Sequence, residues 1–131
     1  MVLDTSALAA ILFKEPDWEA LANALRSHRP RHISAVTYLE ATFVVEARNR
    51  EAGRNTLEKL LRETGTEVIP FDARQLLYAC QGWRDFGKGN HPAALNMGDC
   101  ATYALVKVLW EPLLCKGNDF AQTDIAHLII R

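Results

Sequence analysis

Four carboxylates, Asp4, Glu40, Asp99 and Asp119, occupy positions from which an α/β chain would deliver them to one place. Asp4 closes the short apolar run Val2-Leu3, and Asp119 comes just after Leu113-Leu114-Cys115. In open α/β sheets, ligands bind beyond the carboxyl ends of the strands, so two such runs lying side by side would set both acids at one edge. Asp99 falls in the first turn of the helix expected after Asn96, where the helix dipole favours a negative charge. On a helical wheel Glu40 lies within the arc of Val36, Leu39, Phe43 and Ala47, about 40° from Val36, where a lone charge must be paired, protonated or bound to a cation. Each acid also has a plainer use: Asp4 as a helix cap, Asn96-x-x-Asp99 as a capping pair, Glu40 as an arginine's partner. Gathered together without matching lysines or arginines, the four would repel one another unless a divalent cation stood between them. Oxygen-only ligands favour Mg²⁺ or Mn²⁺, which polarise phosphoryl oxygens and generate hydroxide from bound water, the chemistry of phosphodiester hydrolysis. Thr5 and Ser6 are placed to fix the carboxylates or bound waters by hydrogen bonds from their hydroxyls.

Strand and helix signals alternate along the whole chain, which predicts an α/β sandwich with a mainly parallel sheet flanked by helices. Strands are expected at Val2-Leu3, His32-Ile33-Ser34, Thr66 to Ile69 and Leu113 to Cys115, with a last one at His127 to Ile130. A first helix should open at Thr5, and a second should begin with Pro16 in its first turn. A third spans Ala35 to about Arg50, with residues 51 to 64 helical as well. A fourth is capped by Asp72 and reaches about Asp85, and a fifth, capped by Asn96, runs to about Trp110. Residues 86 to 96 form the longest irregular loop.

With 131 residues, 49% hydrophobic and 24% charged, the chain suits one packed domain covering 1–131 and not a disordered or low-complexity segment. No apolar run approaches the roughly 20 residues that cross a bilayer, and the start lacks a secretory signal, so the cytoplasm is the expected location. Cys80, Cys100 and Cys115 have no metal spacing and read as buried thiols. The net charge of −1 does not announce a nucleic-acid binder. Setting four carboxylates aside around a cation leaves −1 + 4 = +3, and Arg26, Arg29, Arg31, Arg48, Arg50 and Arg54 could then form a basic rim.

The segments V-L-D-T-S-A-L at 2 to 8, S-A-V-T-Y-L-E-A at 34 to 41, N-M-G-D-C-A-T-Y-A-L-V-K at 96 to 107 and L-L-C-K-G-N-D-F-A-Q-T-D-I at 113 to 125 together resemble the PIN-domain ribonucleases, in particular the VapC-type toxins of toxin–antitoxin pairs. The resemblance covers essentially the whole chain and implies a PIN-like three-layer sandwich. It further implies a metal-dependent endoribonuclease in which Asp4 and Asp99 hold the metal, Glu40 and Asp119 complete the acidic site, and Thr5 and Ser6 match the hydroxyl residues beside the first aspartate. Position 118, often acidic in similar toxins, is Asn118 and is expected to support the site, with a second metal held weakly or not at all. A homodimer, an RNA substrate and an antitoxin partner that masks the site follow from the same resemblance.

Other features point elsewhere or nowhere. A receiver-like or other α/β signalling module would also present an acidic pocket, and Lys116 after the fourth strand fits one. Such a module needs a phosphoacceptor aspartate ending the third strand, where this chain has Ile69-Pro70. Lys88 and His91 are candidates for contact with an RNA backbone, whereas His28, His32 and His127 suit surface or capping roles. Tyr103, Val106 and Trp110 share a face with Asp99 and are expected in the core or at an interface. Trp18, Leu21 and Trp83 are expected to be exposed apolar positions available to an interface.

Overall fold

The computed structural model describes residues 1–130, of which the backbone alone is described at Ile130. Five strands, β1 (Val2–Leu3), β2 (His32–Ser34), β3 (Glu67–Ile69), β4 (Leu113–Cys115) and β5 (Leu128–Ile130), form one sheet in the order β3-β2-β1-β4-β5. All pairings are parallel, with Val2 opposite both His32 and Leu113, and Leu3 opposite Leu114. The chain moves outward from β1 in one direction through β2 and β3 and in the other through β4 and β5. The crevice between β1 and β4 is therefore the topological switch point, where a parallel sheet opens a binding site.

Successive strand residues point to opposite faces, and the two cores follow that alternation. Leu3, Ile33 and Leu114 join the helices α1 (Thr5–Leu12), α2 (Trp18–Ser27) and α3 (Ala35–Glu63) on one face. Val2, Leu113 and Cys115 join α5 (Met97–Leu109) on the other, with α4 (Ala73–Phe86) packed outside it. Three layers result, and no helix among the described residues is long and apolar enough to cross a membrane.

Several expectations change at this level. Pro16 stands outside α2, in a turn closed by Trp18 N–H donating to Glu15 O, with Asp17 left-handed at φ 70°. Helix α3 is broken at Arg50 (φ 55°, ψ −138°), and the close approach of Gly53 to the Val45 carbonyl lets the second segment fold against the first. The buried stripe of α3 is Thr37, Ala41 and Val45, not the arc of larger apolar residues, because small side chains let α3 approach α1 and α5 closely. Leu39 and Phe43 are 53% and 63% exposed. Leu21 is fully buried, Trp18 is partly buried against Lys14, and Trp110 is left-handed and 89% exposed at the end of α5.

Arg31 is also a correction, because it is buried and joins no basic rim. Its guanidinium donates to the carbonyls of Leu25, Arg26 and Thr64, closing the ends of α2 and α3 beside the sheet. Arg54 is spent on Glu46 and Glu51, and Arg48 lies over the Phe13 ring. His32 is largely buried rather than a surface group, with Nδ1 2.7 Å from Glu111. Arg31→Met keeps the side-chain bulk but orphans three carbonyls, and should cost roughly 2–4 kcal/mol in urea unfolding. A solvated rim arginine would cost less than about 0.5 kcal/mol.

Candidate active site

Asp4 leaves β1 in extended conformation and caps α1, so both its carboxylate oxygens are fixed at the switch point. Ser6 N–H (3.0 Å) and Ser6 Oγ (2.6 Å) donate to Oδ2, and Thr102 Oγ1 donates to Oδ1 at 2.8 Å. Ser6 Oγ in turn accepts from the Lys116 N–H at 3.0 Å, which ties α1 to the chain leaving β4. With Thr102's proton committed to Asp4, Thr37 Oγ1, 3.0 Å away, must donate to Thr102. Asp4, Thr37 and Thr102 are all buried, so these hydroxyls replace water around the carboxylate.

Helix α5 presents Asp99 to the same crevice from its first turn. Asn96 Oδ1 accepts from Asp99 N–H (2.9 Å) and Asp99 Oδ2 accepts from Asn96 N–H (3.0 Å), a complete capping box. Capping and convergence thus coexist in Asp4 and Asp99. Burial pushes the Asp99 carboxyl up to about 7, the Asn96 N–H opposes the rise, and the neighbouring charges of Asp4, Glu40 and Asp119 add to it. Asp4, Glu40 and Asp119 are therefore all within electrostatic reach of Asp99.

Glu40 reaches the crevice from α3 along the edge of the buried stripe, one turn after Thr37. Its Oε1 accepts from Thr5 Oγ1 at 2.5 Å. Asp119 is exposed at the start of the turn Phe120–Gln122, with no side-chain cap bond. Asn118 contributes less than expected: it is exposed, and its backbone carbonyl accepts from Gln122 Nε2. Among the described residues none of the four acids forms a salt bridge, since the nearby Lys116 is engaged by Glu15 at 3.0 Å. Lys88 is exposed, whereas His91 is absorbed locally, its Nδ1 accepting from Ala93 N–H and its ring edge-on to Phe86.

As they stand, no three His, Cys, Asp or Glu side chains among the described residues form a ready coordination shell. The donor set nevertheless fits a hard divalent cation: it is all oxygen, carries four potential charges and, among the described residues, pairs with no ammonium or guanidinium. Cys100 and Cys115 line the same region, but burial and the acids push their thiols up to about 11 and about 12, which leaves them inert. Thr37 and Thr102 carry no signal of their own in the sequence, although Thr37–Glu40 and Asp99–Thr102 share an i, i+3 spacing that puts each threonine on its acid's helix face.

Between the ordinary carboxyl value of 3.8 and about 7, folded Asp99 keeps a proton that the unfolded chain has lost, so stability falls as pH rises through that window. The metal-free protein should therefore melt lower at pH 7.5 than at pH 5, and Asp99→Asn should flatten that slope. An unchanged slope in the variant would remove Asp99 from the cluster.

The PIN domain family model matches residues 1–126. Ribonuclease VapC30 of Mycobacterium tuberculosis is 44% identical over 130 residues, covering 99% of each chain. Ribonuclease VapC of Mycolicibacterium smegmatis is 45% identical over 126 residues, covering 96% of this chain and 98% of the other. Among solved structures, VapBC2 from Rickettsia felis bound to a promoter DNA fragment superposes with a TM-score of 0.78 at 16% identity, over 99% of this chain and 97% of that one.

Proposed function

This chain belongs to the PIN-domain family and, within it, to the VapC ribonucleases, and from that membership we propose that it is a metal-dependent endoribonuclease, the toxin of a type II toxin–antitoxin pair acting in the cytoplasm. The observation that carries the metal-dependent reading is a half-buried Asp99 whose carboxyl is raised to about 7, first by burial and further by the charges of Asp4, Glu40 and Asp119, among which no salt bridge forms within the described residues.

In this reading Asp4 and Asp99 hold Mg²⁺ or Mn²⁺, with Glu40 and Asp119 completing the site. The cation, when bound, polarises the scissile phosphate and lowers the pKa of a water. Ser6 and Thr102 keep Asp4 aimed, so that little ordering remains to be done when the ion arrives. The Asn96 N–H holds Asp99 Oδ2, which leaves Oδ1 as the atom that would release its proton to solvent and turn to the cation. Glu40, anchored by Thr5, and Asp119, exposed at the crevice mouth, orient the attacking water and receive its proton.

The partners follow the same chemistry. A guanidinium pairs with two carboxylates in a fork, so an antitoxin arginine set among these acids would block the cation. A second copy of the chain suits the apolar face on which half-buried Val36 and exposed Leu39 and Phe43 form one stripe of α3. That stripe borders a groove of about 470 Å³ lined by Leu76, Trp83 and Met97.

Incubation of the purified protein with total RNA should give new ends with Mg²⁺ or Mn²⁺ and none with a chelator. Asp99→Asn should remain folded but lose roughly 10²-fold or more in turnover, and the cognate antitoxin should abolish both cleavage and cation binding. Full activity in chelator, or wild-type turnover by Asp99→Asn, would refute the metal reading. Cation binding that survives in the antitoxin complex would refute the masking. A monomer at micromolar concentration in sedimentation would refute the dimer.

A further inference from the structure

Gly98 is buried in the first turn of α5, between Met97 and Asp99, in ordinary right-handed backbone. Its φ does not require glycine, and glycine is a poorer helix residue than alanine. What it spares is space. A Cβ at this position would lie 2.0 Å from Glu40 Oε2, 2.5 Å from Cδ and 2.8 Å from Oε1. The three nearest atoms all belong to one carboxylate. Gly82 and Gly53 are crowded differently: a Cβ at Gly82 meets the Tyr103 ring, and one at Gly53 meets the Val45 backbone, so those glycines serve packing.

The Glu40 carboxylate is thus clasped on two sides, with Thr5 Oγ1 donating to Oε1 at 2.5 Å and the bare α-carbon of Gly98 against Oε2. We propose that Gly98 is a positioning residue for Glu40: the missing side chain admits the carboxylate between α3 and the start of α5, beside Asp99, and Gly98 acts on the reaction only through it. This rests on the reading of Glu40 as part of the nuclease site. Because the colliding group is the free end of a flexible side chain, alanine at 98 should displace the carboxylate while leaving the fold in place.

The test combines Gly98→Ala, Glu40→Gln and the double variant, assayed for Mg²⁺-dependent cleavage of an oligoribonucleotide, with melting curves and a crystal structure of Gly98→Ala. Gly98→Ala should melt no lower than wild type, lose roughly tenfold or more in kcat with little change in KM, and show the Glu40 carboxylate swung away from α5. In the Glu40→Gln background the alanine should change kcat by less than about twofold, because the two act as one unit. Wild-type kcat in Gly98→Ala, an equal loss in the Glu40→Gln background, a carboxylate still in its original place, or a variant that fails to fold would each overturn the proposal. A wild-type protein that cleaves no RNA would instead refute the nuclease reading, while the crystal structure would still decide whether Gly98 places Glu40.

Discussion

Like charges brought together on one side of a sheet must be offset, and the local structure around this site is a set of answers to that requirement. Asp4 and Asp99 each sit at a helix N-terminus, where backbone N–H groups and the helix dipole favour negative charge. Hydroxyls of Thr5, Ser6 and Thr102 donate to Glu40 and Asp4, and Thr37 backs Thr102 from behind. None of these donors neutralises the cluster. Burial first, and then the charges of Asp4, Glu40 and Asp119, raise the Asp99 carboxyl to about 7.

The division of labour between fold and site follows from where each residue lies. Two apolar layers clamp the sheet through Leu3, Ile33 and Leu114 on one face and Val2, Leu113 and Cys115 on the other, and neither layer involves an acid. The short parallel strands end together at the β1–β4 crevice, so acids separated by up to 115 positions in sequence meet at a place set by packing alone. A native state that carries such mutual repulsion gains stability from any cation that binds it, by mass action.

Much of this was legible from residue types. The strand ends at Asp4 and Cys115, the caps at Asp72 and Asn96, and the strand–helix alternation rest on local chemistry that tertiary packing did not override. Where packing decides, the sequence was less informative. By the helical wheel Glu40 lies among Val36, Leu39 and Phe43, whose apolar size suggests burial, yet α3 turns Thr37, Ala41 and Val45 inward for close helix contact. Arg31 resembled its neighbours Arg26 and Arg29, and only the tertiary position of three carbonyl groups draws it inside. Gly98 carried no turn signal, since its reason is a side chain 58 positions away.

On the proposed reading, the four carboxylates form a site in which a divalent cation takes the place of a proton. Calorimetric titration of Mn²⁺ into the purified protein at pH 6, in two buffers of different ionisation heat, measures that exchange without any RNA. Binding should be saturable, and the difference between buffers should correspond to release of about one proton per cation, because Asp99 is largely protonated at that pH and must lose its proton to become a ligand. Absence of saturable binding, or binding with no proton released, would contradict the account.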